Sequence, residues 1–265
     1  MDRPIGIFDS GIGGLTVAKA IADVLPKEDI IYFGDTAHLP YGDKSRESIK
    51  LYSKRISDFL VGKGCKVVVI ACNTASAHAY TDLAKRHSSV PVVNVIDPTV
   101  DYCTKKYKTG KIGVIATRGT IKSRIYPRKI HKINPGIEVS QSATPLLAPM
   151  IEEGFFNNNI SQTIINSYLS VKNFKNLDAI ILACTHYPLI KPEVSNFFRN
   201  KVEVIDSASV VAAYVKSLLQ DQGLLKKRGA STKKFFVSDF TKSFEETSKL
   251  FFGERIHLVE DRIWE

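Results

Sequence analysis

The chain has 265 residues, 44% hydrophobic and 24% charged, with a formal net charge of +10. That length fits about two domains with separate cores, and the composition is that of a globular chain, neither fibrous nor disordered. The longest apolar runs fall far below the roughly 18 residues of a membrane span.

Residues 5–8 are expected as the first strand, followed by the turn DSGIGGLT at 9–16 and a helix through Val24. Its glycines let the backbone approach a ligand, and the helix start offers free N–H groups. A dinucleotide fingerprint needs a third glycine where Thr16 stands. The turn therefore reads as a corner for a carboxylate and an ammonium, led by Asp9 and Ser10. Residues 30–34 form a second short strand, and the turn-rich loop HLPYGDKS at 38–45 follows it. Pro40 and Gly42 fix the loop's path, and Tyr41 supplies a hydroxyl. Residues 47–62 have helical spacing.

Residues 66–76, KVVVIACNTAS, are an uninterrupted apolar run ending on Ala-Cys, then polar at once. Such a run reads as a strand buried on both faces in a parallel sheet. Cys72 then lies at its carboxyl end, where open α/β sheets place ligands. A helix reaches about Arg86, and a further strand, 90–96, ends at Asp97-Pro98. The pattern then restarts with a helix at 99–107 and a strand at 111–116. Thr117 and Thr120 open another helix with capping chemistry. A strand at 137–143 precedes the loop PLLAPMIEEG (145–154), and a helix covers 161–173.

Residues 178–189, DAIILACTHYPL, nearly copy the first cysteine strand. A single buried cysteine is usually a small apolar filler. Cys72 and Cys184 differ in sitting where each run stops, flanked by Asn73, Thr74, Thr185 and His186. Two thiols in equivalent positions of two similar units point to one shared site. A strand at 202–205 ends at Asp206, and the tail holds a helix at 208–219, a basic linker, and strands at 235–238 and 256–259. The expected architecture is α/β, with two similar parallel-sheet domains and the active site in the cleft between them. Residues 1–97 plus 206–265 make the domain with Cys72, and 98–205 the inserted domain with Cys184.

Cys65 and Cys103 read as structural. No C-x-x-C pair or metal-ligand spacing occurs, so no metal site is expected. The opening MDRPIGIFDS lacks a signal peptide's apolar stretch; with four cysteines, a cytoplasmic chain with reduced thiols is expected. Lys226-Lys227-Arg228 and Lys233-Lys234 read as a solvated face rather than a nucleic-acid surface, since no aromatic interleaving accompanies them.

IGIFDSGIGGLTV, IIYFGDTAHLPYG, VIACNTASA, VPVVNVIDP, IGVIATRGTI, PLLAPMIEEG and ILACTHYPLI, in that order, resemble the glutamate racemases of the aspartate/glutamate racemase family. The resemblance spans essentially the whole chain and implies cofactor-independent interconversion of L- and D-glutamate, supplying D-glutamate for peptidoglycan. It implies Cys72 and Cys184 as the acid/base pair, assisted by Asp9 on the first side and by Glu152 and His186 on the second. Asp9, Ser10, Tyr41, Gly42, Asn73, Thr74, Thr185 and His186 would bind substrate, with Thr117 and Thr120 in a further contacting turn. A homodimer is common among such proteins; no membrane or nucleic-acid partner is implied.

The chemistry is consistent with those residue types. Inverting a carbon through a planar carbanion requires a base on one face and an acid on the other, which a single side chain cannot supply. A thiol titrates near ~8.5, so an active thiolate requires help from a neighbouring group. Three other functions stay open at this stage: an aspartate racemase, a single-thiol decarboxylase, and a two-domain protein that binds an acidic amino acid without chemistry.

Overall fold

A computed structural model describes residues 3–264; Met1, Asp2 and Glu265, inside the expected domain boundaries, lie outside the described residues. The first unit carries strands β1 (Ile5–Asp9), β2 (Ile30–Gly34), β3 (Val67–Ile70) and β4 (Val92–Asn94). The second carries β5 (Gly110–Ala116), β6 (Ile137–Ala143), β7 (Ala179–Ala183) and β8 (Glu203–Asp206). Two late strands, β9 (Lys233–Val237) and β10 (Leu258–Glu260), return to the first sheet. The sheets run β10-β9-β2-β1-β3-β4 and β6-β5-β7-β8, and every pairing is parallel. The chain thus adopts the expected pair of parallel α/β sheets.

Helices cover the sheets. In chain order they are α1 (Leu15–Val24), α2 (Arg46–Gly62), α3 (Asn73–Arg86), α4 (Ile96–Lys106) and α5 (Arg118–Ser123). Then come α6 (Ile125–Ile133), α7 (Leu147–Glu152), α8 (Asn159–Leu169), α9 (Lys191–Phe197), α10 (Ser207–Asp221) and α11 (Lys242–Phe252). Among the described residues, no helix is long and apolar enough to cross a membrane. β3 and β7 are interior strands, and Val67–Ile70 are wholly buried, which explains why both cysteine runs lack polar alternation.

Several boundaries differ from expectation. The strand expected at 90–96 shrinks to β4 because the Asn94 side-chain Oδ1 accepts from the N–H groups of Ile96 and Asp97, turning the chain early into α4. Pro98 then falls in the first helical turn, where it lacks nothing the helix needs. The helix opened by Thr117 breaks at Arg124, whose φ of 52° is left-handed, and restarts as α6. The helix expected at 161–173 starts earlier, because Asn158 and Ser161 form a reciprocal capping box. α9 and α11 were not anticipated; β9 and β10 are each shifted by about two residues from the expected runs.

A buried ion pair fastens the basic linker. Lys66 Nζ donates to Glu28 Oε2 at 2.5 Å and to the Leu224 carbonyl at 2.7 Å, while Glu28 Oε1 accepts the Lys226 N–H. Lys226 itself pairs with Asp29 at 2.7 Å, so it is structural, whereas Lys227, Arg228, Lys233 and Lys234 are exposed. Lys66→Met leaves the Glu28 carboxylate uncompensated and is expected to cost about 3 kcal/mol of stability. Urea denaturation checks this, and adding Glu28→Leu should restore part of the loss.

Candidate active site

Both thiols line one cavity of about 210 Å³ between the two sheets. That is smaller than the ~300–1,000 Å³ of drug-sized ligand pockets and suits a single small amino acid. Ser10, Tyr41, Gly42, Asn73, Thr74, Thr117, Glu152, Thr185 and His186 line it as well. Asp9 and Thr120 stand behind the wall, wholly buried. A hollow of about 520 Å³ between α4 and α10 contains neither thiol.

Cys72 sits at the end of β3 as the N-cap of α3, and its Sγ accepts the Ala75 N–H at 3.4 Å. The Asn73 and Thr74 N–H groups remain at the helix's open end, free for an anion. Burial pushes the Cys72 thiol well above its ordinary range, and the Asp9 charge adds to this. Asp9 ends β1; its Oδ2 accepts the Gly14 N–H at 2.8 Å, and Oδ1 is buried without a hydrogen-bond partner. Burial raises the Asp9 carboxyl too, with the His186 charge and the Gly14 and Ser10 N–H groups pulling partly back. A carboxyl that holds a proton more readily than usual thus backs the first thiol.

The second thiol has a different partner. Cys184 Sγ lies 3.6 Å from His186 Nδ1, and His186 Nε2 lies 2.7 Å from Glu152 Oε1. Burial lowers the His186 pKa, but its hydrogen bonds to Cys184 and Glu152 outweigh this and raise it well above the ordinary value. A group raised in the folded state contributes its full stabilisation below its unfolded value, about 6.5, and loses it as pH climbs through the folded value. Glu152→Gln removes the counter-charge, so its stability deficit should be largest near pH 6 and shrink as pH rises. Denaturant titrations across that range check the trend; a pH-independent deficit would contradict it.

Hydroxyl and amide groups complete the wall. Thr74 Oγ1 lies 2.9 Å from Thr117 Oγ1 and 3.2 Å from Thr120 Oγ1, joining α3 to α5 across the cleft. Asn73 Oδ1 accepts from the Tyr126 hydroxyl at 2.8 Å, leaving its amide nitrogen to donate to a ligand. The Tyr41 hydroxyl donates to Asp35 at 2.6 Å, which leaves it acceptor capacity alone. Asp35 is also held by Ser238 at 2.7 Å and by His38 Nδ1 at 2.9 Å. His38 stacks on Tyr52 and meets the ring of Trp264 edge-on, 4.6 Å between centroids. The loop that lines the cavity at Leu39–Gly42 is thus braced from behind by the tail.

Sequence reasoning missed several of these supports. A Cβ at Gly13 would stand 2.4 Å from the His186 ring, and one at Gly14 equally close to Asp9 Cβ. The glycine-rich turn therefore serves close approach, between the units at Gly13 and within the first unit at Gly14. Thr16, where a fingerprint glycine would stand, donates to the Thr185 carbonyl at 2.8 Å and fixes the end of β7. Phe251 of α11 packs edge-on against His186 at 5.2 Å. The Thr16 and Phe251 contacts carry no local signal; each matters through a partner far along the chain.

The family model for Asp/Glu/hydantoin racemases matches residues 14–215. The chain belongs to that family. A glutamate racemase from Geobacter metallireducens is 42% identical over 255 residues, covering 96% of this chain and 94% of its own. A crystal structure of glutamate racemase from Francisella tularensis, in complex with D-glutamate, superposes with a TM-score of 0.93 at 39% identity. It covers 99% of this chain and 98% of its own. An aspartate racemase homologue from Pyrococcus horikoshii, 21% identical with a TM-score of 0.60, shares the fold alone. Within this racemase family member the matched span takes in both thiols, Glu152 and His186, and begins after Asp9 and Ser10.

Proposed function

We propose that the protein is a cofactor-independent glutamate racemase that exchanges the Cα proton between Cys72 and Cys184. The observation that carries this reading is the single small cavity with both thiols on its wall, each backed by its own proton-handling group. In one direction the Cys72 thiolate, its proton passed to Asp9, removes the Cα proton; the Cys184 thiol, paired with His186 and Glu152, protonates the opposite face. In the other direction the roles exchange. The carbanion's charge spreads onto the α-carboxylate, where donors fixed in advance stabilise it most. Ser10, Asn73, Thr74 and Thr185 offer those donors, while Gly42 and the Thr117–Thr120 turn hold the rest of the substrate.

Glutamate is favoured over aspartate by the full-length likeness to glutamate racemases at about 40% identity. On this reading the enzyme is cytoplasmic, works as a homodimer and supplies D-glutamate for peptidoglycan. The division into 1–97 plus 206–265 and 98–205 is supported by the return of β9 and β10 to the first sheet. Coupled turnover of D- and L-glutamate, with D- and L-aspartate as controls, tests the proposal. In heavy water each product must carry deuterium at Cα. Binding without label would leave only a binding protein.

A further inference from the structure

Gly42 and Gly119 meet where the two units close over the thiol cavity, and a Cβ on Gly119 would lie 3.0 Å from the Gly42 carbonyl oxygen. Outside that seam lies a second hollow of about 290 Å³. Its wall includes Lys44, Arg46 and His78 from the first unit and Arg118 and Lys122 from the second, with one carboxylate, Asp43. Asp43 pairs loosely with Arg118 at 3.6 Å, and both are exposed. Lys44, Arg46 and Lys122 have no carboxylate within ion-pair distance among the described residues. Two further acids lie nearby: Glu47 acts on His78, and Asp82 is taken by Lys50 at 2.7 Å.

Four cations facing one carboxylate in a concave site raise the local concentration of anions. Guanidinium groups add a fork that matches carboxylate and phosphate oxygens. His78 titrates below its ordinary range, chiefly through burial, with the Arg46 and Lys50 charges adding to it and the Gly119 hydrogen bond and Glu47 opposing. Gly42 lines both this hollow and the inner cavity, so the two adjoin.

We propose that the outer hollow binds a small multivalent anion, a phosphate-type group or a dicarboxylate, which ties the two units together at the mouth of the thiol cavity. An occupant held by Arg46 on one side and by Arg118 and Lys122 on the other opposes opening of the seam. Only the dicarboxylate source rests on the proposed racemase activity; the phosphate source does not.

Inorganic phosphate is titrated calorimetrically into the intact chain at fixed ionic strength, with D-glutamate filling the inner cavity. The wild type is compared with Lys122→Gln, which breaks no ion pair, and with Arg118→Gln/Lys122→Gln. On the same samples the KM for glutamate is measured from low to high potassium chloride. Phosphate affinity about fivefold weaker in the double variant assigns the hollow to a phosphate-type anion. No phosphate binding, together with a KM that rises with salt in the wild type but not in the variants, assigns it to the dicarboxylate. Identical phosphate behaviour and identical salt response in all three proteins overturn the proposal. Loss of the racemase reading shows separately, as absent turnover in the wild type.

Discussion

Cys72→Ser and Cys184→Ser are each expected to lower glutamate racemisation by about 10³-fold, the scale of a lost acid/base group. A serine hydroxyl fills nearly the same space, so the cavity and substrate binding survive while the proton carrier is gone. The two losses should be similar, because a full turnover uses both faces of Cα whichever enantiomer is supplied. Coupled assays in both directions measure the effect, and binding of D-glutamate to each variant confirms that the site is intact. Near-wild-type turnover in either variant would remove that thiol from the chemistry.

Gly13→Ala is expected to lower kcat by about 10²-fold without unfolding the protein, since a displacement of ~1 Å in a catalytic group has that effect. The added methyl would meet His186 Cε1 at 2.4 Å, His186 Nδ1 at 2.5 Å and Thr185 Oγ1 at 2.7 Å. His186 cannot simply swing aside, because Glu152 holds Nε2 at 2.7 Å and Phe251 packs against the ring. The ring must leave its place beside Cys184. Gly62→Ala, where an added Cβ meets nothing within 4 Å, is the control for the substitution itself. Thermal melts alongside kcat separate a displaced histidine from a damaged fold. Full activity in Gly13→Ala would show that the second thiol works without this placement of His186.

The parallel sheets were legible because β3 and β7 are buried on both faces, so their runs had no polar interruption to confuse the period. The same runs placed Cys72 and Cys184, since the thiols stand within two residues of the strand ends, Cys72 after Ala71 and Cys184 directly after β7. Legibility failed where a side chain redirects the backbone, as Asn94 does in starting α4 inside an apparently β-branched stretch. It failed again in the tail, whose last helix contributes Phe251 to the neighbourhood of His186 through packing alone. The Tyr41 hydroxyl shows a third limit. Tyr41 lines the cavity as its place in the loop suggested, but its bond to Asp35, six residues earlier, has no sequence signal.

Trp264 has a practical consequence. It is the chain's single tryptophan, so all indole emission comes from one ring, seated edge-on against His38 and Tyr52. The native enzyme therefore carries its own optical probe on the far side of the Leu39–Gly42 loop. Any occupant that shifts that loop changes the fluorescence of one known residue, and rapid mixing with D-glutamate can time the event without a dye or a label.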